Sequence, residues 1–543
     1  MMKKRFSTFT VAALVMVSLF AGMEINELIS GDDIFAQLNK FKDILILTEK
    51  NYIEKVDTGE LTEAAISGLL DKLDPHSVYI APRNFERVTE EFKGKYEGIG
   101  ISFRILNDTI TVLEPIGGGP SARLGILAND RIVKIDGQSA VGFNETQVQK
   151  TLRGPRGTRV TVTIVRPGTS DPLVYEITRD EISLASLDAA FMVTDDIAYI
   201  QSNKFNEQTY TEMTKSLEEL RKQGMKKLIL DLRWNPGGYL DQAVKVADLF
   251  LDGGTKEQPK KIVYTKARRS EFDETFLARS GDAYESLPVI VLISNHSASA
   301  SEIVAGAIQD WDRGLIVGET SFGKGLVQRQ WPLADGSALR LTIAKYYTPS
   351  GRLIQRDYTG KNKAEYQLEA YERDEAEGYN ENHTVDGKAD STKPVFKTHG
   401  GRTVYGGGGI TPDYVVKDNV LTKTVADIRR RDLFVAFTSN YMTGEGLKVR
   451  EEYGKDLPRF RKSFKVSDRL LADFTSFVES KGVTVDREDL RKDDDFVRAM
   501  IKATIGRNIW NSDAWVSILL ETDKQFQKAL TLFPEAEKFA RLQ

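Results

Sequence analysis

Residues 287–293, Leu-Pro-Val-Ile-Val-Leu-Ile, form a continuously apolar run rich in β-branched side chains, the pattern of a strand buried on both faces. From Glu302 to Ile308 the apolar residues return at helical spacing. A turn is therefore predicted between them, at the carboxyl end of a sheet and the opening of a helix. Strand and helix patterns keep alternating from Ile182 to about Leu353, with a helix expected over 210–224 and a strand over 314–318. Such alternation predicts an α/β core with its sites at strand carboxyl ends. Upstream, residues 158–166 alternate polar with Val and Ile, the period of a half-buried strand. Residues 32–94 read as mostly helical, with 61–70 amphipathic and Leu73-Asp74-Pro75-His76-Ser77 as a break. After Val420 the chain again reads as helical, with one apolar stripe over 470–478; these helices either pack on the core or mediate dimerisation.

Composition narrows the class. A chain of 543 residues is too long for one core and suggests three or four domains. Apolar residues at 41% and charged residues at 28% are globular values, and a net charge of −4 with both signs interspersed disfavours a nucleic-acid partner. The amino terminus differs: Met1-Met2-Lys3-Lys4-Arg5 precedes an apolar run over 11–21, shorter than the roughly 20 residues that span a bilayer. Residues 1–23 thus read as an export signal or, since a small-x-small cleavage site is missing, an uncleaved membrane anchor. The chain has no cysteine, hence no lipobox attachment and no disulfide. A periplasmic or envelope location is expected.

The predicted turn carries Ser297-Ala298-Ser299-Ala300-Ser301-Glu302. A Ser299 hydroxyl there is exposed beside the free N–H groups that open the helix, which suits acyl transfer through an oxyanion. Serine needs a base. Of the four histidines, His76, His296, His383 and His399, His296 is nearest but three residues along an extended approach point it away, and His76 beside Asp-Pro reads as a turn residue. Gly323-Lys324-Gly325 offers a lysine that can act as base if burial lowers its pKa to about 7–8. Taken alone, that triplet also reads as a surface lysine in a glycine turn. It is no phosphate loop, because no Ser or Thr follows the lysine. Nor does the penicillin-type arrangement fit, since the residue three after Ser299 is Glu302.

These two segments, 297–310 and Phe322-Gly323-Lys324-Gly325-Leu326-Val327-Gln328, resemble the signatures of the carboxyl-terminal processing peptidases, or tail-specific proteases. The resemblance implies Ser299 as nucleophile, Lys324 as general base, Gln328 as the residue orienting the lysine, and Asp310 as a further family aspartate. It implies oxyanion amides from Ala300 and from the turn Asn235-Pro236-Gly237-Gly238. Each also has a plainer reading: Gln328 as surface, Asp310 as a helix-end residue bonded to backbone or Arg313, the glycines as a tight turn. The Leu-Asp-Pro-His-Ser segment resembles the family's amino-terminal region, and 355–409, charged and glycine-containing, an insertion of some members, read as a solvated loop or a flap.

Residues 95–182 resemble a PDZ domain. Gly98, Ile99, Gly100, Ile101 and Phe103 match its carboxylate-binding loop and peptide-binding strand. Asn129 stands where glycine is usual, and tolerates positive φ.

The fold expected is a multidomain α/β protein: a helical amino-terminal region (32–94), an inserted PDZ-like β-rich domain (95–182), a mixed α/β Ser–Lys peptidase core (183–420) and a helical carboxyl-terminal region (421–543). The expected function is serine endopeptidase cleavage of envelope or secreted proteins recognised by accessible carboxyl termini, with no metal or organic cofactor. A membrane tether and a homodimer or adaptor partner stay open. The rival is a catalytically silent envelope adaptor using the same PDZ and helical parts.

Overall fold

The computed structural model describes residues 34–376 and 393–541; the signal or anchor over 1–23 and the middle of the 355–409 segment lie outside them. Six strands form the central sheet, ordered Leu187–Met192, Ile197–Ser202, Lys227–Asp231, Val289–Ile293, Leu315–Gly318 and Tyr414–Val415. The first pair is antiparallel and each later pair parallel. Side chains alternate across this sheet as the pleat requires. Leu228 and Leu230 face one layer, with Met213, Leu217, Val246, Ile303 and Val304 from the helices Thr209–Lys222, Leu240–Asp248 and Ala300–Asp310. Ile229, Ile290 and Leu292 face the other, against Leu520, Phe526 and Phe533.

That second layer consists of the last three helices, Ser512–Leu519, Lys524–Thr531 and Phe533–Arg541. They are part of the peptidase core and seal a sheet whose continuous apolar strands could not face water on either side. Arg233 ties them in through ion pairs to Asp231 at 2.6 Å and to Asp523 at 2.6 Å. The preceding helices, from Lys423–Arg430 to Asp494–Ile509, enclose a separate core around Phe434, Phe460, Phe474 and Ile501.

A second, antiparallel sheet contains Ala338–Tyr347, which pairs with Leu326–Pro332, Lys261–Ala267 and the short strand Val78–Ile80. The amino-terminal region, mostly helical as expected, thus also contributes one short strand to this sheet. Asp74 caps the turn after the helix Thr58–Leu70, accepting from the N–H groups of His76 and Ser77 at 2.8 and 2.9 Å, and directs the chain into this sheet. The first described helix, Ile34–Asn51, buries no residue against the other described residues and leaves Ile34, Phe35, Leu38 and Leu47 exposed.

The β-rich insert leaves and rejoins the core through one antiparallel pair, Lys95–Gly98 with Asp180–Ser183. Its sheet runs Ile101–Leu106, Thr109–Pro115, Arg131–Ile135, Arg159–Val165, Leu173–Thr178, so Ile101–Leu106 is an edge. Asn129 adopts φ 70°. The hairpin rests on the carboxyl-terminal helices through Arg104–Asp432 at 3.1 Å, Lys481–Asn107 at 2.9 Å and Arg507–Glu114 at 3.0 Å.

The described part of 355–409 is not the solvated loop expected. Gln355, Arg356 and Tyr366 are buried. Gln355 accepts from Gly325 N–H at 2.9 Å, and Arg356 donates its N–H to the Gly323 carbonyl at 2.9 Å and Nε to that of Phe322 at 2.7 Å. One charge of this stretch, Arg356, thus satisfies the backbone around Lys324 together with the neutral Gln355, as buried polar groups must.

Candidate active site

Ser299 stands between the buried strand Val289–Ile293 and the helix Ala300–Asp310, at φ 55° and ψ −111°. A non-glycine residue at positive φ is strained, and such strain persists only where surrounding bonds over-determine it. Here Glu302 Oε2 accepts the Ser299 N–H at 2.7 Å, while Ser297 Oγ, donating to the Leu232 carbonyl at 2.7 Å, fixes the approach.

Glu302 is wholly buried and has four donors: Ser299 N–H, Lys324 N–H at 2.9 Å, and Gly323 N–H and the Ser321 hydroxyl, both at 2.6 Å. Burial pushes its carboxyl pKa up, and the four donors oppose that. On the other side, the buried Tyr346 hydroxyl lies 2.7 Å from the Lys324 carbonyl and 3.1 Å from that of Ser299. Sequence reasoning missed both. The spacing of Glu302 from Ser299 on an otherwise apolar helix was the signal available for it; nothing marked Tyr346.

A cleft of about 770 Å³ brings together Ser299, Lys324, Gln328, Gly237 and Gly238. Desolvation, and then the positive charge of Arg340, lowers the Lys324 pKa from 10.5 to about 8; Glu302 and Asp74 act in the opposite sense. Gly237 has φ 98°, and a Cβ there would lie 2.8 Å from Ser299 Cβ and 2.9 Å from Ala300 N. A Cβ on Gly238, at φ 151°, would lie 2.0 Å from the Phe205 carbonyl oxygen. The Gly237 N–H donates to Asn235 Oδ1 at 2.9 Å, so of the two glycines it is Gly238 whose N–H, like that of Ala300, carries no hydrogen bond among the described residues. Free N–H groups beside a serine at a helix start are the parts of an oxyanion site.

Asp310 is elsewhere. It ends the helix Ala300–Asp310 in a fully buried ion pair with Arg352, and its other oxygen accepts the Ser350 N–H at 2.9 Å. Arg313, the partner expected from sequence, instead donates to the carbonyls of Phe250, Tyr284 and Leu287. His296 packs its ring against Trp234 and Tyr371 at centroid distances of 4.1 and 4.9 Å. His76 packs edge-on against Phe322 and Tyr366, its pKa lowered to about 3 by burial and then by the Lys324 charge. Among the described residues no group of three or more His, Asp or Glu side chains is arranged to hold a metal ion.

In the β-rich insert, Ile99 and Ile101 are buried and Phe103 packs on the same core. The Ile99 carbonyl accepts from Ser121 N–H and Oγ at 3.1 and 2.7 Å, and Gly100 has φ 73°. The edge of Ile101–Leu106 stays unpaired among the described residues.

Comparison with known proteins gives four family matches: peptidase family S41 over residues 196–361, a PDZ domain over 111–166, the amino-terminal domain of the activating protease CtpB over 21–83, and a family of unknown function over 424–511. The chain is 41% identical over 325 residues to a carboxy-terminal-processing protease of Bartonella bacilliformis, covering 59% of this chain and 73% of that protein. It is 35% identical over 347 residues to a probable CtpA-like serine protease of Staphylococcus aureus, covering 64% and 68%. Among solved structures, the photosystem II D1 C-terminal processing protease matches at 27% identity and a TM-score of 0.33, covering 58% of this chain and 89% of that one.

Proposed function

Since this chain belongs to peptidase family S41, among the carboxy-terminal-processing serine-type proteases, we propose that it cuts peptide bonds with a Ser299–Lys324 dyad acting on chains captured by their carboxyl termini. The observation that carries the dyad is the shared cleft, which Ser299 and Lys324 both line with their backbones tied to the same Glu302 oxygen. Neutral Lys324 takes the Ser299 hydroxyl proton as Oγ attacks the substrate carbonyl carbon. The N–H groups of Ala300 and Gly238 receive the oxyanion, and the Lys324 ammonium returns the proton to the leaving amine. Water activated by Lys324 then releases the acyl group. Phe276, Ile303, Leu326 and Ile343 line the same cleft and favour an apolar side chain at the cut.

The insert's open edge strand suits a peptide added as a further strand, with the N–H groups of the Ile99–Gly100 turn facing its carboxylate. The envelope as site of action rests on the charged start and apolar run of residues 1–23. A second copy of this chain is the occupant we propose for the apolar face of Ile34–Asn51, which no other described residue covers; light scattering on a Phe35→Lys, Leu38→Lys variant tests it, and an unchanged mass excludes that face.

Cleavage of an unfolded reporter with an apolar carboxyl tail, by the parent and by folded Ser299→Ala and Lys324→Ala variants, tests the dyad. Loss in both supports it. Equal cleavage by all three removes it.

A further inference from the structure

The bulge between Leu326–Pro332 and Ala338–Tyr347 decides what Gln328 meets. Val327 pairs with Ala344 and the next residue, Gln328, with Thr342, so one position is skipped and the side chain is re-aimed. Gln328 Nε2 then lies 3.3 Å from Thr342 Oγ1, which lies 3.0 Å from Asp74 Oδ1. The Asp74 carboxylate also accepts from the N–H groups of His76 and Ser77 and, at 2.5 Å, from the Ser77 hydroxyl, whose oxygen accepts the Thr342 N–H at 3.1 Å.

Proton counting gives this chain a direction. A carboxylate only accepts, and a hydroxyl has one proton to give. The Thr342 proton therefore goes to Asp74, leaving Thr342 Oγ1 as the acceptor for the amide nitrogen of Gln328. The amide oxygen is left for the cleft that Gln328 shares with Lys324 and Ser299.

We infer that Asp74 and Thr342 are positioning residues that fix the Gln328 amide with its oxygen towards Lys324, so that the lysine donates to Gln328 and keeps its lone pair for the Ser299 hydroxyl. The inference rests on Lys324 being the base. An amide turned the other way presents N–H groups to the amine and competes for that lone pair. The charges otherwise facing Lys324 are those of Arg340 and Glu302, with His76 packed nearby. Through Asp74, a segment some 250 positions before Lys324 takes part in the active site.

Thr342→Val keeps the shape and removes the hydroxyl, and Thr342→Ser keeps the hydroxyl. In Thr342→Val, kcat on the unfolded reporter falls about tenfold or more with KM within about twofold. The acid limb of its kcat/KM profile moves to lower pH, because the ammonium loses an acceptor. Thr342→Ser restores both, and Gln328→Ala combined with Thr342→Val loses no more than Gln328→Ala alone. Asp74→Asn, which can donate towards Thr342, gives the same signature and serves if Thr342→Val fails to fold by thermal midpoint. A folded Thr342→Val or Asp74→Asn with the parent's kcat and pH profile overturns the inference, as does a double variant that loses the product of the two single effects. Lys324→Ala is assayed alongside: activity kept there removes the dyad itself, whereas activity lost there with the positioning variants unchanged removes only this relay.

Discussion

Ser299 and Lys324 are joined twice through their backbones: Glu302 Oε2 accepts the N–H of both, and the Tyr346 hydroxyl reaches the carbonyl of both. The two staples are unequal. Removing Glu302 strips four buried donors of their acceptor, each at about 1–3 kcal/mol, whereas the Ser299 carbonyl still accepts the Ile303 N–H at 3.0 Å without Tyr346. Glu302→Gln keeps one acceptor oxygen and turns an NH2 towards other donors. It is expected to abolish reaction with a serine-directed fluorophosphonate and to lower the thermal midpoint. Tyr346→Phe is expected to slow that reaction by about tenfold or less, since one hydrogen bond of about 1 kcal/mol is lost. The reverse order would show that Tyr346, not Glu302, holds the elbow.

In the proposed dyad Lys324 serves as base only when neutral, and desolvation with the Arg340 charge lowers its pKa to about 8. The kcat/KM profile should rise as pH increases through about 8, with no loss on the alkaline side of that step. Arg340 lowers the lysine pKa by its charge, so Arg340→Gln should move the rise to higher pH. A profile that rises near pH 6.5 and ignores Arg340 would point to a histidine base.

Gly237 approaches the Ser299–Ala300 backbone too closely for a side chain, at a φ that L-residues rarely adopt. Gly237→Ala should lower kcat on the reporter by at least about a hundredfold. The displaced groups are Ser299 and Ala300 themselves, so KM should change far less than kcat. Equal changes in both would place the glycine in substrate binding instead.

The elbow was legible in the chain because a strand buried on both faces and a helix with a strong apolar stripe leave a distinct turn between them. Lys324 was legible only through its motif: its environment comes from Gln355, Arg356 and Tyr366, which a charged, glycine-containing stretch disguised as a loop. The closing helices 512–541 read as helices, but their docking on Ile290 and Leu292 did not, since an apolar stripe does not name its partner. Asp74 read only as part of a helix break with His76 as its turn residue, and in the structure it caps that turn; its bond to Thr342, 268 positions away, depends on a sheet pairing that no local pattern carries.

Asp310 tests the difference between a buried anchor and a cleft residue. Its ion pair with Arg352 is fully enclosed, and removing one partner of such a pair costs roughly 3–5 kcal/mol. Asp310→Asn should therefore lower the thermal midpoint, while active-site titration of the folded fraction gives a kcat within about threefold of the parent. A stable variant with lost kcat would return Asp310 to the chemistry.

The insert's free edge makes the last prediction. The carboxyl-terminal helices hold the Ile101–Leu106 hairpin through exposed pairs such as Arg104–Asp432, each worth about 0–1 kcal/mol, and leave that edge unpaired among the described residues. A short peptide with a free apolar carboxyl terminus should add along this edge by main-chain bonds, its carboxylate at the Ile99–Gly100 turn. It should slow cleavage of a long unfolded reporter while a short quenched peptide, which reaches Ser299 without capture, is cut at the parent rate. The same peptide carrying a carboxyl-terminal amide should inhibit neither, because the turn then faces no charge. Equal slowing of both substrates would place the competitor in the Ser299 cleft and remove the insert from substrate capture.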